Sequence, residues 1–188
     1  KQNKKVVVIL NIGGVIETAM WKNLPDAILL AWQAGQEGGN TVADILSGQI
    51  NPSGKLAVTF PVSFFDAASS ANFPYDYQLD PDVLMASLMG NHSTTTHIRN
   101  VDYTSYEEGI YVGYRYFDTF KRDVSYPFGY GLSYTDFEYG TPTVKKVKGD
   151  YIVTMTVKNT GKASGKEVVE LYVSAPKSSL DKPEKELK

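Results

Sequence analysis

"AWQAGQEGGNTVADILSGQINPSGKLAVTFP", residues 31–61, sets a glycine-rich turn, an amphipathic run and a second turn between two apolar segments. Within it Val42, Ala43, Ile45 and Leu46 recur at helical spacing, which predicts one apolar face of a helix over residues 36–46. Glu37 stands near the start of that run, where a carboxylate complements the dipole, and Gly48 follows its end, where a left-handed cap is expected. After the turn Asn51-Pro52-Ser53-Gly54, residues 55–61 read as a strand closed by Pro61. Gly35, Gly38 and Gly39 permit close backbone approach, and Gly54 permits the turn.

Upstream, "KKVVVILNIGG" is a continuous apolar run from Val6 to Leu10, flanked by lysines and stopped by Gly13 and Gly14. A strand buried on both faces reads this way, so a central, parallel strand is expected. Residues 27–32 repeat the design between Pro25 and Gly35. Periodicity at this length also admits a short helix; strand is the reading adopted. Strand, strand, helix and strand within the first 61 residues predict an α/β layer.

The composition narrows the function classes. The 188 residues suffice for one domain or one and a half. Hydrophobic residues make 42% and charged residues 21%, close to globular averages, and no run of about 18 apolar residues could span a bilayer. The net charge of −2 carries no basic stripe, which argues against nucleic acid as a partner. With no cysteine, disulfides and thiolate metal sites are excluded, and either a reducing cytosol or a bacterial envelope fits. The 13 tyrosines concentrate between residues 103 and 151, and such rings meet sugars or proteins with an apolar face and a hydroxyl together. The first residues, "KQNKKVVVIL", carry neither an initiator Met nor a leader pattern, and read as a processed or truncated product.

Residues 62–105 read as a long polar excursion with one apolar cluster at Val83 to Met89, and long loops of this kind are usually functional or mobile. "YEEGIYVGYRYFDTF", residues 106–120, alternates aromatic and β-branched residues like a strand or hairpin arm. "YPFGYGLSYTDF", residues 126–137, is expected to grip an underlying surface with its aromatics. Beyond Tyr139 two strands of period two are expected, one presenting Val153, Met155 and Val157 and one presenting Val169, Leu171 and Val173, joined by the turn at residues 159–165. They would open an antiparallel β-sandwich. A sandwich needs roughly seven strands, and exposed inner faces cost about 25 cal/mol per Å², so the chain is expected to be incomplete at both ends.

Candidate chemistry is sparse. "GQINPSGKL" resembles a phosphate-binding loop, but Gly48 and Gly54 are separated by five residues, Leu56 stands where Ser or Thr should ligate magnesium, and a strand follows. His92 and His97 lie five apart in a polar loop without the helical context of a metal pair. Asn91-His92-Ser93 fits an N-glycosylation acceptor or a turn. Ser53 and Lys55 flank Gly54 without a third orienting group, so turn chemistry explains them better than a nucleophile and base. Glycoside hydrolysis requires two facing carboxylates, and Glu17, Glu37, Glu107 and Glu108 are the ones to test. Structural roles lead for each, Glu37 at a helix N-terminus and Glu107 and Glu108 beside a strand start.

Three blocks, residues 31–61, "YEEGIYVGYRYFD" and "YPFGYGLSYTDF", together resemble the C-terminal part of glycoside hydrolase family 3, the β-glucosidase and β-xylosidase family. They keep the family's order and cover roughly a third of the chain, with "KKVVVILNIGGVIE" before them and the start of the β-sandwich after. The resemblance implies a partial α/β layered sandwich over residues 1–65, closing loops and linker over 66–133, and the start of a fibronectin type III-like domain over 134–188. It further implies an exo-acting retaining glycosidase, most nearly a β-glucosidase, acting on oligosaccharides or β-glycosides. In that family an aspartate nucleophile comes from a barrel domain and a glutamate acid/base commonly precedes the "VVVIL" strand. Neither motif is present here, so no catalytic, cofactor-binding or metal-ligating residue is assigned and no cofactor is expected. The implied partner is the remainder of the enzyme, with a homodimer left open and a periplasmic or secreted location favoured over the cytoplasm. The alternative is a non-catalytic carbohydrate-binding or scaffold module.

Overall fold

A computed structural model of the protein describes residues 4–71, 106–176 and 180–188. Strand β1 (Val7–Leu10) pairs with β2 (Ala27–Leu30) in parallel, in register from Val7 opposite Ala27 to Leu10 opposite Leu30. The parallel pairing is the one expected, and the strand expected over residues 27–32 is observed over 27–30; the expected central position of β1 is a correction, since its one partner among the described residues is β2. Helix α1 (Gly38–Ser47) follows, and Gly48 ends it at φ +79°, donating its N–H to the Ile45 carbonyl at 3.0 Å. Only a residue without Cβ reaches that left-handed conformation without strain.

Residues 55–61 depart from the expectation. Only β3 (Phe60–Pro61) joins a ladder, antiparallel to β4 (Val124–Tyr126) and with a register shift between its two residues. Pro61 has no N–H to extend the pairing. Leu56 instead exchanges hydrogen bonds with the aromatic segment, donating to the Tyr130 carbonyl and accepting from the Gly129 N–H, both at 2.8 Å. The grip expected of residues 126–137 is therefore exerted partly through backbone.

The expected strand over residues 106–120 is a correction: helix α2 (Tyr114–Thr119) occupies its end, entered through Gly113 at φ +59°. Aromatics at 111, 114, 117 and 120 recur every three residues, and the helix turns Tyr114 and Phe117 inward while Tyr111 stacks on Phe120 at 4.9 Å.

Among the described residues, six strands lie beyond residue 134: β5 (Phe137–Tyr139), β6 (Thr143–Val147), β7 (Asp150–Thr154), β8 (Val157–Asn159), β9 (Tyr172–Val173) and β10 (Glu186–Leu187). They form three antiparallel ladders, β5 with β8, β6 with β7 and β9 with β10. The single strand expected from Val153 to Val157 is thus divided, because Val153 pairs with Val144 while Val157 pairs with Tyr139. The strand carrying Val169 to Val173 shortens to its last two residues. Lys148 and Gly149, at φ +51° and +100°, make the tight turn from β6 to β7, the backbone of a two-residue hairpin.

Among the described residues, burial concentrates on β3, β4 and α2. Phe60, Phe117 and Tyr114, at 2%, 7% and 8% exposure, are the buried hydrophobic residues among those described. Phe60 lies 6.2 Å from both the Trp32 and Tyr126 rings. A buried hydrogen bond of 2.7 Å between the Thr18 and Ser125 hydroxyls, and the Lys22 ammonium on the Ser125 carbonyl at 2.6 Å, tie the loop after β1 to β4. The expectation that β1 is buried on both faces is corrected within this chain: Val7 and Ile9 remain over 40% exposed, and α1 has no buried residue.

Candidate functional site

A cavity of about 570 Å³ opens between the loop after β1, residues 57–69, and the loop and helix at residues 108–117. Its walls are mainly apolar, with Val15, Val58, Phe64, Val112 and Phe128 among them, and it brings Glu17 and Glu108 to one space. These are two of the four carboxylates singled out as hydrolysis candidates. The cavity wall from Tyr111 to Phe117 was hidden by its strand-like aromatic pattern.

Glu17 is already engaged. Its Oε1 accepts the Ser63 hydroxyl at 3.0 Å and the Phe64 N–H at 2.6 Å, at the start of the 3-10 turn Phe64–Asp66. A carboxylate so placed satisfies an orphan helical donor and is engaged within the chain itself. Glu108 is half-buried on the other wall, and its carbonyl accepts the Tyr111 N–H at 3.0 Å. Glu107 is exposed and does not line the cavity. Glu37 sits at the N-terminus of α1, as expected, where its carboxylate accepts from the Asn40 amide at 2.7 Å and its carbonyl from Thr41 N–H at 3.0 Å.

The phosphate-loop reading fails on geometry. The Lys55 ammonium donates to the Gly131 carbonyl at 2.8 Å and pairs with Glu167 at 3.3 Å, with both side chains largely buried. Ser53 Oγ accepts the Lys166 N–H at 3.1 Å. Both groups serve the chain itself, which also answers the nucleophile-and-base reading of the pair. His92, His97 and the acceptor pattern Asn91-His92-Ser93 lie outside the described residues.

The hydroxyls of Tyr111 and Tyr139 are held by carboxylates. Tyr111 donates to the Asp181 carboxylate, which raises its pKa. Tyr139 donates to Glu167 Oε1 at 2.8 Å, and desolvation followed by that hydrogen bond pushes it up to about 12. Because the folded state holds this proton more tightly than an unfolded tyrosine near 10, its contribution to stability is complete below pH ~10 and is lost as pH rises through about 12. Tyr172, desolvated and hydrogen-bonded to Glu170, is raised as well, so tyrosinate absorbance at high pH carries more than one group, and Tyr139→Phe should subtract one tyrosine's share of the signal near the top of that window. An unchanged titration curve in the variant would contradict the assignment.

The glycosyl hydrolase family 3 C-terminal domain model matches residues 1–134. Thermostable β-glucosidase B of Acetivibrio thermocellus is 42% identical over 191 residues, covering 100% of this chain and 22% of that protein. β-Glucosidase A of Butyrivibrio fibrisolvens is 40% identical over 208 residues, again covering 100% of this chain and 22% of that protein. Among solved structures, β-glucosidase 3B from Thermotoga neapolitana in complex with glucose is similar at a TM-score of 0.80 and 47% identity, over 100% of this chain and 23% of that one. The chain spans between a fifth and a quarter of the length of these relatives.

Proposed function

Because the chain belongs to glycosyl hydrolase family 3, we propose that it is the C-terminal portion of an exo-acting β-glucosidase, which releases terminal β-linked sugars from oligosaccharides or glycosides. The observation that carries this reading is whole-chain similarity, at 47% identity, to a β-glucosidase solved with glucose. The reaction proceeds with retention through a covalent glycosyl-enzyme, and the nucleophile and acid/base come from the remainder of the enzyme. This portion supplies none of the reacting groups. Its task is to complete the layers that flank the barrel.

In this reading residues 1–65 are the later part of an α/β sandwich, 66–133 its closing loops and linker, and 134–188 the start of a fibronectin type III-like domain. The parallel pair β1–β2 with α1 supports the first assignment, and the antiparallel ladders from β5 onward support the last. Hydrolysis of an aryl β-glucoside should be undetectable with the isolated chain and present when the chain is continuous with its remainder. Turnover by the isolated chain would contradict the proposal. Sugar binding with no turnover by the complete protein would favour a non-catalytic binding module instead.

A further inference from the structure

The turn Asn51-Pro52-Ser53-Gly54 aims its polar groups at two segments more than 75 residues away in sequence. Asn51 Oδ1 accepts the Ser133 hydroxyl at 3.0 Å and the Tyr134 N–H at 2.8 Å, while Nδ2 donates to the Ser164 carbonyl at 3.0 Å. One carboxamide therefore joins the turn to both the loop before β5 and the loop after β8. The Tyr134 hydroxyl completes the circuit by donating to the Ile45 carbonyl, in the last turn of α1, at 2.9 Å. Space is closed around the same group: a Cβ built on Gly165 would lie 2.5 Å from Asn51 Nδ2.

We propose that Asn51 is the hub of an intramolecular latch that fixes the β-ladder portion after residue 134 to the strand–helix portion before residue 61, so that the two open as one cooperative unit. The chemistry selects asparagine, because only a short side chain carrying both an acceptor and a donor serves all three partners. Aspartate would keep the two acceptor bonds and lose the donor to Ser164. Alanine would leave all three partners to find water or remain unpaired. The latch is a property of this chain and stands whether or not the glycosidase reading does.

Amide exchange read by mass spectrometry tests it on the complete protein. Asn51→Ala should quicken exchange roughly tenfold on both sides at once, over residues 44–50 and over 131–135 and 159–165. Gly165→Ala should do the same. The double variant should fall well short of the sum of the two, because both disturb the Asn51 carboxamide, the Gly165 variant crowding Thr135 and Phe137 besides. Asn51→Asp should quicken the 159–165 side while sparing 131–135, which keeps the test decisive should the alanine variant not fold. Unchanged exchange, an effect confined to one portion in Asn51→Ala, additive effects in the double variant, or equal loosening of both loops in Asn51→Asp would each overturn the latch.

Discussion

Phe60→Ala is expected to destabilise the portion around β3 by about 3–5 kcal/mol, the range for truncating a buried aromatic. Phe60 is 2% exposed and lies against two rings, tilted to Trp32 and edge-on to Tyr126 at an interplanar angle of 80°. Edge-to-face aromatic contacts add to the transfer free energy of the ring itself. Little else can absorb the loss, since Tyr114 and Phe117 are the other buried hydrophobic residues among those described. Natural domains are stable by about 5–15 kcal/mol in total, so the variant sits near the limit of folding. Leu24→Ala provides the contrast: at 69% exposure it should fall within about 0.5 kcal/mol of the parent. Denaturant midpoints of the two variants separate these expectations, and a Phe60→Ala loss below about 1 kcal/mol would show that β3 is not the organising strand.

Local signals survived the passage from sequence to structure. The parallel pair was legible because Val6 to Leu10 and residues 27–30 are uninterrupted apolar runs between breakers, and α1 was legible because its periodicity and Gly48 cap agree. The family was legible because its three blocks stand in order. Where two periods fit the same residues, the partner surface decided. Residues 111–120 carry aromatics at spacings of both two and three, and burial of Tyr114 and Phe117 selects the helix.

Strand β6 was hidden by its lysines at 145 and 146, and its turn uses Lys148-Gly149 where Asn-Gly or Asp-Gly is the usual signal. β10 has two residues, too few for any alternation to register. The role of Glu17 was invisible for another reason. Its partners Ser63 and Phe64 are 46 and 47 residues away, so a carboxylate flagged for chemistry proved to be a brace for a turn. Ser53 donates to the Asn51 carbonyl at 3.4 Å, the turn chemistry the sequence suggested, but its other partner and those of Lys55 lie beyond residue 130 and were equally invisible.

Several apolar side chains among the described residues are left uncovered. Val7 and Ile9 on β1 are 42% and 44% exposed, and Leu46 in the last turn of α1 and Ile50 just beyond it are 47% and 50% exposed. A two-stranded ladder with an uncovered apolar face is marginal in water. Completing the burial of four such side chains, each already half-covered, contributes about 1 kcal/mol apiece, or about 4 kcal/mol together. That free energy corresponds to a factor of roughly 1,000 in an opening equilibrium. In the proposed reading the remainder of a family 3 enzyme supplies the cover.

Amide exchange over residues 7–10, 27–30 and 38–47, measured in the isolated chain and in the complete protein, distinguishes covered faces from bare ones. The prediction is rapid exchange in isolation and rates roughly a thousandfold slower when the remainder is present. Rates that agree within a few-fold in the two settings would mean that β1, β2 and α1 need no cover, and that the chain stands on its own.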